Sequence, residues 1–191
     1  INGFEYAPNQ KKILYIKAVK LDKSVQDIHP DLPKANARIE TDLMYRHWDQ
    51  WHDYKYSHIF VADYSPQGLS NSTDIMKGEK YNAPMEPFGG MGQINWSPDS
   101  KMIAYTSKKL TGKAYSVSTN SEIYLYDLES KETKNLTKTN HAGYDKAPVF
   151  SPDGKMLAWE SMRRDGYESD KNRIFVYNFE TKQETDRKSV V

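Results

Sequence analysis

The sequence contains no cysteine among its 191 residues, no uninterrupted run of 18 apolar residues, and no excess of charge of either sign. The lack of cysteine excludes a disulfide framework and thiolate metal sites, but it leaves both the periplasm and the cytoplasm open. Without a long apolar run the chain has no candidate for a transmembrane helix, and we expect no membrane partner. The first five residues show neither a basic leader nor an apolar signal core.

The charges of the chain nearly cancel, because 27 Lys and Arg residues face 26 Asp and Glu residues. The basic residues form no clustered stripe of the kind that a phosphate backbone requires, so nucleic acid is not an expected partner. Much of the apolar surface belongs to aromatic rings, with 14 Tyr and 4 Trp. Aromatic side chains pack well on a pleated surface, which favours strands.

One segment occurs three times without gaps, as Tyr-Ala-Pro-Asn at 6–9, Trp-Ser-Pro-Asp at 96–99 and Phe-Ser-Pro-Asp at 150–153. Each copy has a second aromatic residue seven positions after its proline. Proline presets φ for a turn, and Asp or Asn beside it can bond its own backbone. The repeat therefore predicts a tight hairpin between two buried strands.

A second element also occurs three times, at 59–63, 123–127 and 174–178, and two copies continue through polar turns into short polar strands. Two hairpins make a four-stranded antiparallel unit, and its repetition predicts an all-β fold, a partial β-propeller of about three blades. We place the blades at residues 1–77, 78–137 and 138–191. A β-sandwich is the alternative, since it also has many short strands. Only residues 34–44 have a helical pattern.

In such a meander the tight turns share one face, and the segments between the hairpins lie on the other. These segments, 17–56, 107–121 and 161–172, differ in length and composition. Variable loops on a rigid scaffold are where binding usually resides. We therefore expect this face to be the functional one.

Two longer stretches are Tyr-Arg-His-Trp-Asp-Gln-Trp at 45–51, which leads into 57–61, and Glu-Ser-Met-Arg-Arg-Asp-Gly-Tyr-Glu-Ser-Asp at 160–170. Both resemble segments of bacterial dipeptidyl peptidases. Together with the turn repeat, they make most of the chain similar to the amino-terminal propeller of dipeptidyl and acylaminoacyl peptidases of the prolyl oligopeptidase family. The repeats of that propeller are related to those of the periplasmic Tol-system propeller protein.

The resemblance implies that catalysis happens outside this chain. In that family the Ser, Asp and His of the triad lie in an α/β-hydrolase domain, with the nucleophile in Gly-x-Ser-x-Gly. This sequence has no such motif, and its glycine cluster at 89–92 contains no serine, so we assign no catalytic residue and no cofactor. Family propellers have seven or eight blades, so we expect truncation at both ends. The resemblance also implies a periplasmic or secreted location.

A dipeptidyl peptidase must hold a free amino terminus, which carboxylates bind best in a partly dry cavity. Arginine side chains suit a substrate carbonyl, or they orient the acids. The resemblance thus makes the charged third loop the candidate substrate-binding segment, although the same cluster fits a solvated loop of mutual ion pairs. Its candidate residues are Glu160, Arg163, Arg164, Tyr167, Glu168 and Asp170.

The aromatic stretch of the first loop supplies three further candidates, His47, Trp48 and Trp51. For the two tryptophans we expect a role as anchors that pin the long loop to its blade, with substrate stacking as the second interpretation. The histidines and aspartates of the stretch have spacings that match no helical metal motif, so we expect no metal site.

Two hypotheses about function follow. The first is the non-catalytic propeller portion of a serine exopeptidase, which gates and orients short peptides for a hydrolase domain of the parent chain. The second is a propeller interaction module or periplasmic scaffold. A carbohydrate-active enzyme would need paired carboxylates across a pocket, and no pair stands out. Because end blades leave side surfaces uncovered, we also expect a homodimer through the exposed blade edges.

Overall fold

A computed structural model of the protein describes residues 2–138 and 142–187. They form three four-stranded antiparallel sheets that follow one another along the chain, and a separate two-stranded hairpin inserted within the stretch that forms the first sheet. Within residues 2–138 and 142–187 each sheet occupies its own stretch of the sequence and shares no strand with another sheet, which confirms the predicted partial propeller and not the alternative sandwich. Residues 139–141 and 188–191, which we assign to the third blade, lie outside the described residues.

The strands follow the chain in blade order. The first blade contains β1 (Phe4–Tyr6), β2 (Lys12–Lys20), β5 (Lys55–Ser65) and β6 (Gly68–Asp74). The second contains β7 (Ile94–Trp96), β8 (Met102–Ser107), β9 (Glu122–Asp127) and β10 (Thr133–Asn135). The third contains β11 (Asp145–Phe150), β12 (Met156–Ser161), β13 (Arg173–Asn178) and β14 (Gln183–Arg187). The small hairpin consists of β3 (Arg46–His47) and β4 (Gln50–Trp51).

The Ser-Pro-Asp repeat forms the turn between the first two strands of a blade. In the third blade the Ser151 hydroxyl accepts a hydrogen bond from the backbone N–H of Met156 at 2.9 Å and donates one to Asp153 at 2.6 Å. Gly154 follows in the left-handed region, with φ of +70°. The aspartate and serine side chains thus satisfy backbone groups of a tight turn, which is why this short motif recurs.

Two apolar clusters hold the blades together. One joins the first and second blades around Leu14, Ile59 and Tyr105. The other joins the second and third blades around Leu157 and Trp159. The middle strands of the second blade are buried on both faces, because that blade has a neighbour on each side, and β7 is also mainly buried, whereas the last strand, β10, is mainly exposed. Burial of apolar side chains between blades is therefore the main stabilising contribution.

Helix is scarce, but the predicted helical segment is wrong. Residues 34–44 form turns and irregular backbone. The helices are α1 (Val25–Ile28), α2 (Gly112–Val117) and a 3₁₀ turn at Met91–Gln93. Helix α1 begins where Ser24 and Asp27 form a reciprocal capping box, a start signal that residues 34–44 lack.

No helix among the described residues has the length and apolar character needed to cross a membrane.

Candidate functional site

Three connections between the hairpins lie on the same side of the blades, at 21–54, 108–121 and 162–172. We call them together the loop rim. The first connection is shorter than its predicted bounds, because β2 and β5 pair as far as Lys20 with Lys55. The other two begin and end next to the strands that flank them.

Helix α2 links the first connection to the second. The carboxylate of Asp42 lies against the start of α2, at a place where a Cβ on Gly112 would be 2.7 Å from Oδ2 of Asp42. Gly112 also has a φ of +57°. The close approach therefore depends on a residue without a side chain. At the other end of α2, the Lys108 ammonium donates to the carbonyls of Tyr115 at 2.6 Å and Ser118 at 2.5 Å.

Asp165 links the second connection to the third. Its Oδ1 atom accepts hydrogen bonds from the Ser118 hydroxyl and from the backbone N–H of Thr119, both at 2.7 Å. The Thr119 hydroxyl in turn accepts from the N–H of Gly166 at 2.9 Å. Burial raises the pKa of Asp165, but these hydrogen bonds outweigh it and hold the pKa below its usual range. The three connections therefore form one continuous rim.

Asp170 closes the neck of the third connection. Its carboxylate accepts from the backbone N–H groups of Arg163 and Arg164 at 3.2 and 3.1 Å, and from the Arg164 guanidinium at 3.0 Å. The hydrogen bond from Arg164 is the main reason that the pKa of Asp170 lies well below its usual range. The Arg164 guanidinium also stacks on the Tyr167 ring, 4.0 Å from its centroid. Asp170 thus shapes the loop and has little acceptor capacity left for a ligand.

Two other candidates, one on β12 and one on the third connection, also bind partners. Glu160 accepts from the Asn172 amide at 2.6 Å and lies 3.4 Å from the Lys146 ammonium. Arg163 lies 3.5 Å from Asp186, the carboxylate that also binds Arg173. Their surface ion pairs contribute little to stability, but they orient the side chains.

Glu168 differs from the other acids of the loop. It is exposed and forms no hydrogen bond or ion pair with any residue in the described part of the chain. The loop is closed at its neck by Asp170 and fixed at its tip by Asp165, so Glu168 lies on an ordered support. Its free carboxylate is the acid of this loop best placed to take a cation.

The hairpin β3–β4 carries the remaining candidates. The rings of His47 and Trp48 meet edge to face at 5.4 Å, and Trp51 stacks on Tyr45 at 5.8 Å. Trp48 and Trp51 are 65% and 48% exposed, so the prediction that they pin the loop to the blade by burial is wrong. Trp51 instead packs within its own connection, under the Arg38 guanidinium. In the described part of the chain, no hydrogen bond, ion pair or ring contact joins His47, Trp48 or Trp51 to the third connection.

The histidines and aspartates of the first connection do not converge. Among residues 2–138 and 142–187 no group of three or more His, Asp or Glu side chains is placed to hold a metal ion. His58, which follows this stretch, is wholly buried, and its ring nitrogens are bonded to Asp74 at the end of the first blade and to the Glu79 carbonyl in the segment that follows it.

Asp42 and Asp165 are the rim residues that sequence reasoning missed. Asp165 lies in a predicted loop, and its place before Gly166 is a turn signal, but its partners belong to the neighbouring blade. Asp42 lies in the segment wrongly predicted as helical. Contacts of this kind depend on how one blade packs on the next, and local sequence patterns do not predict that packing.

Two curated relatives match nearly the whole chain. It is 50% identical over 185 residues to a dipeptidyl-peptidase 5 from Porphyromonas gingivalis, which covers 97% of this chain and 27% of the relative. It is 47% identical over 176 residues to a dipeptidyl-peptidase 5 from Porphyromonas endodontalis, which covers 92% of this chain and 25% of the relative. The chain thus spans about a quarter of the length of these relatives. No protein-family model matches it.

A solved structure supports the fold alone. The structure from Agrobacterium tumefaciens assigned to TolB covers 95% of this chain and 46% of its own, with a TM-score of 0.50 and 13% identity. The two Porphyromonas relatives and the three consecutive blades agree with the resemblance in the sequence. The chain therefore corresponds to a β-propeller portion of the dipeptidyl-peptidase 5 family.

Proposed function

We propose that this chain gates and orients short peptides for a separate α/β-hydrolase domain, which supplies the chemistry. The observation that carries the proposal is the continuous loop rim, in which the Asp42 carboxylate lies against the start of α2 and Asp165 accepts hydrogen bonds from Ser118 and Thr119 at its end. A rim held in this way presents fixed side chains at low entropic cost when a ligand binds. The names of the relatives support peptides as the ligands.

Glu168 is the residue that we assign to the free amine of the peptide. An ammonium group bonded to a carboxylate is a charge-assisted pair, stronger than a neutral hydrogen bond. The exposed guanidiniums of Arg163 and Arg164 lie on the same connection and suit a peptide carbonyl. In this proposal Glu160 and Asp170 position the loop, since both already bind partners within it.

The test compares peptide binding by the wild-type chain and by Glu168→Gln, measured by calorimetry or NMR titration. We expect Glu168→Gln to weaken the binding of a peptide with a free amine by about tenfold, a loss typical of a charge-assisted hydrogen bond. An N-acetylated peptide should show no such loss. Glu180→Gln, an exposed glutamate on the turn of the opposite face, is the matched control.

A second measurement tests whether the hydrolysis itself takes place outside this chain. The chain alone should give no turnover of chromogenic dipeptide substrates. Robust turnover that serine inhibitors block, or peptide affinity that is the same in Glu168→Gln and wild type, would contradict the proposal.

A further inference from the structure

Two large aromatic side chains meet on the surface beside the loop rim. The ring centroids of Trp48 and Phe88 are 5.1 Å apart, with their planes tilted by 60°. Phe88 is 79% exposed, more than any other large apolar residue described, and Trp48 follows it at 65%. Aromatic rings of this size normally contribute to stability through burial. Their exposure therefore needs an explanation beyond folding.

A constrained turn presents Trp48. It is the first of the two residues that connect β3 to β4, and its φ of +52° lies in the left-handed region. A bulky residue pays about 1–2 kcal/mol for this conformation. The hairpin is closed behind it by the stacked rings of Tyr45 and Trp51 and by a 2.9 Å hydrogen bond from the N–H of His52 to the carbonyl of Tyr45.

A second, unrelated turn presents Phe88. The N–H of Gly89 donates to the carbonyl of Met85 at 2.7 Å, and the N–H of Met85 donates to the side chain of Gln93 at 2.8 Å. A Cβ on Gly89 would lie 2.1 Å from the Met85 carbonyl oxygen, so only glycine fits there. The same turn that fixes Gly89 thus holds the preceding residue, Phe88, at the surface.

The exposed area of the Trp48 and Phe88 rings indicates what size of ligand they can bind. A large aromatic side chain offers roughly 150–250 Å² in all, so the exposed parts of these two rings provide about 250 Å². A stable protein interface needs roughly 800 Å² from each partner. The tilted pair is therefore too small for a second copy of the chain or another folded protein, but it matches one apolar side chain laid against the exposed faces of the two touching rings.

We propose that Trp48 and Phe88 form a subsite for an apolar side chain in the carboxyl-terminal half of a bound peptide. The inference rests on the proposed function. The connection that carries Trp48 meets the start of α2, whereas the connection that carries Glu168 lies beyond its end. The six residues of α2 span about 9 Å, and an extended peptide covers about 3.3 Å per residue. A peptide that runs along α2 from Glu168 would therefore reach the aromatic pair about three residues from its amine.

The test follows the indole N–H signals of the isotope-labelled 191-residue chain by NMR during titration with tetrapeptides. We expect Gly-Gly-Gly-Leu to move the Trp48 signal and to bind about threefold to tenfold more tightly than Gly-Gly-Gly-Ser. Leu-Gly-Gly-Gly should not move it. The indoles of Trp96 and Trp159, which donate to Glu5 and Asp145 in the core, are internal controls.

Two variants complete the test. Trp48→Phe removes one indole N–H signal and so identifies the signal of Trp48, and this variant should keep the preference for leucine. Phe88→Ala should abolish the preference for leucine. Leu69→Ala, a half-exposed apolar residue on β6, is the control and should change nothing. The backbone signal of Gly166 on the third connection reports whether the peptide occupies the rim.

The outcomes separate the two proposals. If peptides move the Gly166 signal but the leucine preference is absent or survives Phe88→Ala, the subsite is wrong and the proposed function stands. If no peptide moves Gly166, the proposed function fails and the subsite fails with it. An equal response of Trp48 to N-acetylated peptide, without change at Gly166, would show an unspecific apolar contact and overturn the subsite. Loss of self-association in Phe88→Ala would identify a protein contact and also overturn it.

Discussion

The Nδ1 atom of His58 lies 2.8 Å from Oδ2 of Asp74, within a blade where no part of the histidine is exposed. The second ring nitrogen, Nε2, lies 2.8 Å from the carbonyl oxygen of Glu79. Both nitrogens thus face acceptors, which is the environment of a protonated imidazole. The histidine ties the end of the first blade to the segment that leads into the second.

The first prediction concerns the pH dependence of stability. Burial lowers the pKa of His58, but the Asp74 carboxylate and the Glu79 carbonyl raise it by more, so that the net pKa lies above its usual value. A raised pKa in the folded state gives stability that is fully present below about pH 6.5 and is lost as the pH rises through the folded pKa. We expect the free energy of unfolding in urea to be greater at pH 6 than at pH 8.5.

His58→Gln provides the check. It should lower the free energy of unfolding at pH 6 by about 3 kcal/mol, because it leaves the Asp74 carboxylate without its charged partner. It should also reduce the difference between pH 6 and pH 8.5. His29→Gln, at an exposed position, should retain both the stability and the pH difference. An unchanged pH difference in His58→Gln would show that other groups cause it.

The repeated turns explain why the fold was predictable. The motif predicts three tight hairpins because proline, serine and aspartate act locally, within a few residues of one another. The conformation after the aspartate was less evident. Gln10 and Ser100 take the left-handed φ in the positions where the third copy has Gly154. There the hairpin imposes a conformation that the residue type does not favour.

The site was less predictable, since its geometry depends on contacts between blades. Asp165 binds Ser118, which is 47 residues earlier in the chain. Trp48 and Phe88 meet only because two turns 40 positions apart converge. Sequence patterns identify the loops that carry these residues, but they do not predict how one blade packs on the next.

The second prediction concerns the contact between Asp42 and α2. Gly112→Ala should place a Cβ within 3 Å of the Asp42 carboxylate and strain a residue with positive φ. We expect a loss of about 2 kcal/mol in the free energy of unfolding, and greater protease sensitivity of the first connection. Gly78→Ala is the matched control, because Gly78 also has a positive φ but no atom within 4 Å of the added Cβ. Equal effects of the two variants would show that strain alone is responsible.

The third prediction concerns the link between the second and third connections. Asp165→Ala removes the acceptor for the Ser118 hydroxyl and the Thr119 N–H. We expect a loss of about 1 kcal/mol in stability and faster amide exchange at Thr119 and Gly166, measured by NMR. Ser118→Ala also removes the acceptor of the Asn120 N–H, but it leaves the bond from the Thr119 N–H to Asp165, so it should have a smaller effect on exchange at Thr119. If exchange at Gly166 stays slow in Asp165→Ala, then the aspartate does not hold the rim.

The last prediction concerns the free side of the third blade. Val149, Ala158 and Val176 are cross-strand partners in one row, and they line an apolar groove of about 330 Å³. The opposite face of the sheet, which carries Leu157 and Trp159, packs against the second blade, so the groove faces away from that blade. A blade side of this kind is covered by the next blade in a longer propeller. In this chain we expect two copies to cover it for each other.

Sedimentation at high micromolar concentration should therefore show a dimer for the wild-type chain. Val149→Lys places an unpaired charge in the centre of the contact and should weaken dimerisation by tenfold or more, about 1.4 kcal/mol. Leu69→Lys, on the outer strand of the first blade, should leave the dimer intact. A wild-type monomer would contradict the prediction, and a dimer that persists in Val149→Lys would move the contact to another surface. Because Val149 is already 54% exposed in the single chain, the substitution should leave the fold of the blade unchanged, and a loss of dimer can be attributed to the contact itself.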